Sequence, residues 1–161
     1  MSERWIRVDV DRQELELREG ERVLRQFPVS TAAKGVGEVE GSEQTPRGLH
    51  EIRERIGAGA EPGAVFVGRE PTGEVLTPAL RAAHPDRDWI LSRVLWLSGL
   101  EEGRNRGGNV DSHARYIYIH GTPDDEPMGV PRSHGCVRMR NTDVIALFEL
   151  TETGTRVEIA G

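Results

Sequence analysis

The chain has 161 residues, of which 36% are hydrophobic, and this length and composition are typical of one compact domain. We therefore treat residues 1–161 as a single domain and expect a monomer. Its 21 Lys and Arg residues against 27 Asp and Glu residues give a formal net charge of −6. The chain thus lacks an overall basic field, and we expect neither nucleic acid nor a membrane surface as a partner.

The single cysteine cannot form an internal disulfide, which argues against the framework of a small disulfide-bonded secreted protein. Residues 1–20 carry charges throughout and contain no apolar run of the kind found in a signal peptide. The apolar run at 144–148 is too short to span a bilayer. The sequence predicts a cytoplasmic protein, or a periplasmic one if a leader was removed.

The hydrophobic pattern is mostly that of β-strands. Residues 6–10 and 14–18 alternate apolar and polar side chains with a period of two, and a third strand is predicted at 23–29. Three short strands joined by tight turns favour a meander that feeds a sandwich or barrel. Residues 30–46 show neither period and predict a loop.

Further elements follow the same reasoning. Strands are predicted at 49–56, 64–69, 88–97, 115–120 and 155–159, a helical turn at 78–83, and a helix at 143–150 capped by Asn141 or Thr142. The segment 98–113 predicts a long loop, which is usually functional or disordered. Trp5, Trp89 and Trp96 are predicted to lie in the core, and His50 and His84 on the surface. The predicted fold class is mainly β with one or two short helices.

The most chemically informative segment is Ser133-His134-Gly135-Cys136. A thiol becomes a good nucleophile when a neighbouring base or dipole lowers its pKa. His134 is two residues away in sequence, while His120 ends the predicted strand 115–120, on the face shared with Tyr116 and Tyr118. Sequence spacing alone does not choose between the two histidines as the base.

Glycine before the cysteine allows a sharp turn, in which the amides of Gly135 and Cys136 could converge on an oxyanion. Arg132, Arg138 and Arg140 surround the thiol and predict a local anion site suited to a substrate carboxylate.

Other interpretations use the same residues. A lone cysteine is often a small buried hydrophobic residue, although its polar neighbours here do not form a core stripe. Zinc could be bound by His113, His120, His134 and Cys136, but the spacing matches no common zinc motif. Tyr118, like Tyr116, fits packing and substrate contact equally well. We assign no metal and no cofactor.

Two segments resemble the L,D-transpeptidase catalytic domain, also called the YkuD domain. They are Ile119-His120-Gly121-Thr122 and Ser133-His134-Gly135-Cys136-Val137-Arg138. The segments 27–31 and 45–48 are also similar to that family, so the resemblance extends over nearly the whole chain.

The resemblance implies a mainly β sandwich or barrel in which Cys136 is acylated by a peptidoglycan stem tetrapeptide, at the bond between the diamino acid and the terminal D-alanine. It implies that His120 is the base and that the Gly121 carbonyl orients it. Ser133, His134 and Gly135 would support the oxyanion with Cys136. Substrate binding would fall to Arg138, Arg132 and Tyr118, and carbapenems would acylate the thiol in preference to penicillins.

The acceptor of the acyl group decides the activity. Water gives an L,D-carboxypeptidase, whereas the amine of a second stem gives a cross-linking L,D-transpeptidase. The absence of a leader in the sequence favours hydrolysis of soluble muropeptides during recycling, with transpeptidation as the alternative. A noncatalytic peptidoglycan-binding module is a remote third possibility, because Cys136 and His120 are both present.

Overall fold

The structure is a computed structural model that describes residues 3–161. Within that range the fold is mainly β with two α-helices, as the sequence predicts. The strands are β1 (Arg4–Asp9), β2 (Glu14–Glu19), β3 (Arg22–Pro28), β4 (Gly48–Ile56), β5 (Ala64–Val67), β6 (Glu70–Val75), β7 (Ile90–Gly99), β8 (Tyr118–Gly121), β9 (Val137–Met139) and β10 (Arg156–Ala160). The helices are α1 (Pro78–Ala83) and α2 (Asn141–Leu150), with a 3-10 helix at Gly108–Val110.

The strands form one mixed sheet, in the order β3-β2-β1-β10-β4-β7-β5-β6. The predicted meander is its first part, since β1, β2 and β3 pair antiparallel. Strand β8 pairs with β7, and β9 extends the sheet from β8. Two pairs are parallel, β1 with β10 and β8 with β9. The second of these parallel pairs positions the candidate site.

Strand β7 separates the two halves of the interior. Leu95 and Leu97 face the main core, which α2 covers, whereas Val94 and Trp96 face a second apolar cluster that includes Tyr118. This alternation is the consequence of the two-residue period of a strand, and because both faces are covered, nearly all of β7 is buried. Among the described residues no helix has the length and apolar character needed to cross a bilayer.

Helix α2 begins earlier than predicted, and the predicted cap is wrong. Arg140 is the N-cap, without a side-chain capping bond, and Asn141 is the first helical residue. The Asn141 amide instead donates to the Thr122 carbonyl at 3.0 Å, and its oxygen accepts from Ser92. Because the side chain ties the helix to two neighbouring segments, it is not available to cap its own backbone.

Several strand boundaries also differ from prediction. Strand β8 starts at Tyr118 rather than at residue 115, because Tyr116 adopts a left-handed backbone with φ of 58°. The predicted strand 64–69 ends at Val67, where a turn leads into β6. Strand β6 escaped prediction because all six of its residues are exposed and show no apolar alternation. Trp5 is only partly buried, in contrast to Trp89 and Trp96.

The prediction that His50 lies on the surface is wrong. Its side chain is fully buried, with Nδ1 3.0 Å from the Gly48 carbonyl and Nε2 2.8 Å from the Ser112 hydroxyl. Burial lowers the pKa of His50 to about 4, and the Gly48 hydrogen bond and the Glu101 charge offset this only in part. The neutral ring is therefore the native form at neutral pH.

This burial predicts an acid-sensitive stability. The unfolded chain takes up a proton at His50 near pH 6.5, whereas the native protein does so only near pH 4. Stability is therefore complete above pH 6.5 and falls towards pH 4, by about 3 kcal/mol for this group. Urea unfolding from pH 7.5 to 4 should show a steeper loss for the wild type than for His50→Gln. Equal pH slopes for the two proteins would contradict the assignment.

Candidate active site

The two segments of the sequence motif meet through the short parallel pair of β8 and β9. Ile119 pairs with Val137, and His120 pairs with Arg138. Cys136, one residue before β9, therefore lies beside the start of β8. It opens into a cleft of about 300 Å³. The cleft is lined by Arg69, Asp88, Ile90, Arg115, Tyr116, Ile117, Tyr118, His120, Ser133, His134, Cys136 and Arg138.

The backbone of residues 116–118 contacts the thiol on both sides. The Tyr118 amide donates to Cys136 Sγ at 3.3 Å, and Sγ donates to the Tyr116 carbonyl at 3.4 Å. Tyr116 contributes its carbonyl from the left-handed conformation, which is strained for a residue with a Cβ. Tyr116 is 54% exposed and lines the cleft. The strain thus lies at the residue that accepts the hydrogen bond of the resting thiol.

His120 is almost fully buried and is held by the next residue. Its Nδ1 lies 2.7 Å from the Gly121 carbonyl, which only accepts, so Nδ1 carries the hydrogen of the neutral ring. Nε2 is then the free acceptor and has no hydrogen-bond partner among residues 3–161. In this resting geometry no hydrogen bond joins Nε2 to Cys136 Sγ. The imidazole is thereby oriented as a base with a vacant nitrogen.

Both reactive groups are neutral at rest. Burial raises the pKa of Cys136 to about 12, and the Tyr118 amide and the guanidinium groups of Arg138 and Arg115 lower it only in part. Burial also lowers the pKa of His120. The raised pKa favours the protonated thiol, and the lowered pKa favours the unprotonated imidazole at pH 7. The site therefore holds a neutral pair rather than a thiolate and an imidazolium.

Ser133 and Gly135 shape the turn before the cysteine. The Ser133 hydroxyl donates to the Cys136 carbonyl at 2.6 Å and accepts from the Gly135 amide at 3.2 Å. Gly135 has φ of 131°, and a Cβ there would meet the Gln44 carbonyl at 3.3 Å. The amides of His134 and Cys136 have no hydrogen-bond partner in the described chain. The free donors of this turn are thus His134 and Cys136, because Ser133 occupies the Gly135 amide.

The structure does not assemble the predicted arginine cluster. Arg138 lines the cleft and donates to Asp88 at 2.9 Å, so its charge is compensated. Arg132 and Arg140 are exposed and lie outside the cleft lining. His134 is exposed as well, with Nδ1 3.7 Å from the second Asp88 oxygen. Asp88 therefore connects Arg138 and His134 beside the motif.

Three charged residues of the cleft were missed by sequence reasoning. Asp88 precedes β7, and Arg69 lies in the turn between β5 and β6; both are far from the motif in sequence. Arg115 donates to the carbonyls of Gly37 and Gln44 and so holds the preceding loop against the cleft. Each was predicted at the end of a strand, and a single charged residue there carries no local signal of a place in the cleft.

The other candidates do not form a second site. Among residues 3–161 no three His, Cys, Asp or Glu side chains lie close enough together to hold a metal ion, so the proposed zinc ligands are not assembled. His113 stacks on Trp96 with a ring separation of 4.0 Å. The loop 100–113 does not line the cleft; there Asn105 bonds the carbonyls of Arg47 and Leu49.

The site thus brings a thiol just before β9 and an oriented imidazole on β8 into one cleft, a combination used in nucleophilic catalysis by cysteine. The sequence profile of the YkuD family, the L,D-transpeptidase catalytic domain, matches residues 3–159. The chain therefore belongs to this family, as the two motif segments indicate.

Individual relatives agree with the family assignment. A probable L,D-transpeptidase of Escherichia coli, YbiS, is 50% identical over 44 residues, which cover 27% of this chain and 14% of the relative. The putative L,D-transpeptidase YkuD of Bacillus subtilis is 39% identical over 61 residues, which cover 35% of this chain and 37% of the relative. These matches span well under half of either relative.

The fold has solved counterparts. L,D-transpeptidase 3 from Mycobacterium tuberculosis, in complex with a faropenem-derived adduct, superposes with a TM-score of 0.60 at 14% identity. The superposition covers 99% of this chain and 61% of that one. At this identity the likeness concerns the fold alone.

The strained backbone of Tyr116 gives a prediction about the thiol. Tyr116→Val removes the ring and places a β-branched residue in the left-handed region, whereas Tyr116→Asn removes the ring but tolerates that region. We expect the valine variant to be less stable than the asparagine variant by about 1–2 kcal/mol. We also expect Cys136 to react with iodoacetamide at an altered rate in the valine variant alone.

Urea unfolding and timed intact-mass measurements give the two readouts. If both variants behave alike in stability and alkylation, the backbone conformation of Tyr116 does not position the thiol.

Proposed function

We propose that the chain is a cysteine-dependent acyltransferase of peptidoglycan stem tetrapeptides, which cleaves the bond between the diamino acid and the terminal D-alanine. The observation that carries this proposal is the arrangement around Cys136. A protonated thiol and a neutral imidazole with a free Nε2 line one cleft, and the Gly121 carbonyl fixes the tautomer of His120. In the proposed mechanism Cys136 is the nucleophile and His120 the base, and the two act as a unit.

The first half of the reaction forms a thioester. Sγ of Cys136 forms a bond to the carbonyl carbon of the diamino acid, and its proton passes to His120 Nε2. The oxygen of the tetrahedral intermediate accepts from the free amides of His134 and Cys136. The carbon–nitrogen bond then breaks, and His120 returns the proton to the amine of the leaving D-alanine.

The second half transfers the acyl group, and we propose water as the acceptor. His120 takes a proton from the attacking water, the thioester opens, and the tripeptide leaves with a free carboxylate while Sγ regains its proton. Water is the most abundant acceptor and needs no second binding site beside the donor in the cleft. The proposed activity is therefore that of an L,D-carboxypeptidase, acting on soluble muropeptides in the cytoplasm.

One observation favours the alternative of a cross-linking L,D-transpeptidase. The Asp88 side chain is 44% exposed in the cleft and acts electrostatically on both His120 and Cys136. A carboxylate in that position attracts an ammonium group such as the one on an acceptor stem. Its ion pair with Arg138 weakens that attraction, since one oxygen is already engaged.

A product assay decides between the two acceptors. Purified protein is incubated with a disaccharide tetrapeptide, and the products are followed by mass spectrometry. The proposal predicts tripeptide and free D-alanine in equal amounts. A cross-linked dimer that forms at the expense of tripeptide would establish transpeptidation, and an unchanged tetrapeptide would contradict the proposed substrate.

Substitutions at the motif should separate the roles of its residues. Cys136→Ala should lower D-alanine release by roughly ten-thousand-fold or more, because the attacking atom is lost. His120→Ala should be nearly as damaging, whereas His134→Ala should cost much less, since its exposed side chain does not contact Sγ. D-alanine release by the folded variants is the measurement. A greater loss in His134→Ala than in His120→Ala would reverse the assignment of the base.

The thiol should also form a stable adduct with a strained acyl donor. The solved relative with its faropenem-derived adduct supports this expectation, and the family resemblance favours carbapenems over penicillins. Intact-mass analysis should show one carbapenem added per chain and little penicillin. The matched Cys136→Ala protein should gain no mass, and an adduct on that variant would mean that another residue reacts.

A further inference from the structure

Three guanidinium groups line the catalytic cleft, and they differ in what occupies them. Arg138 is paired with Asp88 at 2.9 Å. Arg115 donates to three acceptors in the loop 37–44. Arg69 has no carboxylate within 4.0 Å among residues 3–161. Of the three, Arg69 is therefore the one whose charge is not compensated by a carboxylate and whose guanidinium still has free hydrogen-bond donors.

The orientation of Arg69 is fixed by aromatic side chains. Its guanidinium lies 4.6 Å from the ring centre of Trp96 and 5.0 Å from that of Tyr116. Nη1 donates to the Tyr118 hydroxyl at 3.1 Å, and it is the one nitrogen of this group with a partner in the described chain. Stacking and this bond hold the plane while Nε and Nη2 remain free, as a bidentate contact with a carboxylate requires.

The turn that carries Arg69 is strained at this residue. Val67 pairs with Glu70, so Gly68 and Arg69 form a two-residue hairpin turn with φ of 56° and 68°. Such a turn favours glycine or asparagine at both positions, and a long side chain with a Cβ is costly there. An arginine held against this preference, at the edge of a catalytic cleft, indicates a role for its side chain.

We propose that Arg69 binds a carboxylate of the acyl-donor stem and thereby selects anionic donors. The inference rests on the proposed function, since it concerns the same cleft and substrate. A tetrapeptide stem carries free carboxylates on its glutamyl residue and on its terminal D-alanine, and the planar guanidinium matches either one. Arg69 donates to the Tyr118 hydroxyl and makes no hydrogen bond to Cys136 or His120 in the described chain, so its proposed role is to orient the donor and not to transfer protons.

The test compares three donors: the free tetrapeptide, its terminal carboxamide and its glutamyl carboxamide. Arg69→Asn removes the guanidinium but keeps a residue suited to the left-handed turn. We expect it to raise KM for the free tetrapeptide by about 10- to 100-fold, with kcat little changed. For the donor that lacks the recognised carboxylate, Arg69→Asn and the wild type should have equal KM. The matched control, Arg12→Asn, removes an exposed arginine in the turn between β1 and β2, outside the cleft, and should equal the wild type throughout.

The outcomes are distinct. A KM increase of the same factor on all three donors would show that Arg69 only supports the hairpin, and would overturn the proposal. If the wild type cleaves none of the donors, the proposed function fails instead, and calorimetric binding to Cys136→Ala and to Cys136→Ala/Arg69→Asn decides the subsite. A carboxylate-dependent loss of affinity in the double variant supports the Arg69 site, whereas equal affinities or no binding contradict it.

Discussion

The parallel pairing of β8 with β9 is the constraint on which the site depends. Three residue pairs, Ile119 with Val137, His120 with Arg138 and Gly121 with Met139, fix the register of segments that are far apart in sequence. A slip of one residue would turn His120 into the main core and Ile119 into the cleft, because side chains alternate between the two faces. Strand β7 supports this register from the other edge of β8, where it is buried on both faces.

The same burial determines the chemistry of the site. Removal from water disfavours the charged forms of both Cys136 and His120, so the pair rests as thiol and imidazole. Because the thiolate is the reactive form, a neutral thiol reacts slowly with oxidants and alkylating reagents. In this account proton transfer accompanies attack on the donor. The hydrogen bond between Sγ and the Tyr116 carbonyl must then give way to contact with Nε2.

Much of the fold could be predicted because the sequence encodes it locally. The alternation at 6–10 and 14–18 identifies strands, and the apolar run around 90–97 identifies a buried one. The candidate catalytic residues were identified through a compact motif, and their roles remain predictions. The polar strand β6 was missed because all its residues are exposed, so its sequence lacks the alternation of apolar and polar residues that identifies a strand.

Features that arise from tertiary contacts were not visible in the sequence. The sequence around His50 predicts a surface histidine, but strand β4 buries the side chain against Ser112. Asp88 and Arg69 stand at the ends of predicted strands, and nothing in the sequence shows that the fold brings both to the cleft. Arg132, although close to Cys136 in sequence, is exposed and does not line that cleft. Sequence proximity was therefore a weaker guide to the charges of the site than to its nucleophile.

In the proposed mechanism the acyl group passes through a thioester on Cys136. The most direct measurement is to mix the protein with tetrapeptide, quench with acid at millisecond to second intervals, and determine the intact mass, followed by peptide mapping. We expect a transient adduct equal to the stem without its D-alanine, located on the peptide that contains Cys136, and formed before tripeptide accumulates. Release of D-alanine at an undiminished rate after complete alkylation of Cys136, with no adduct at any time, would contradict it.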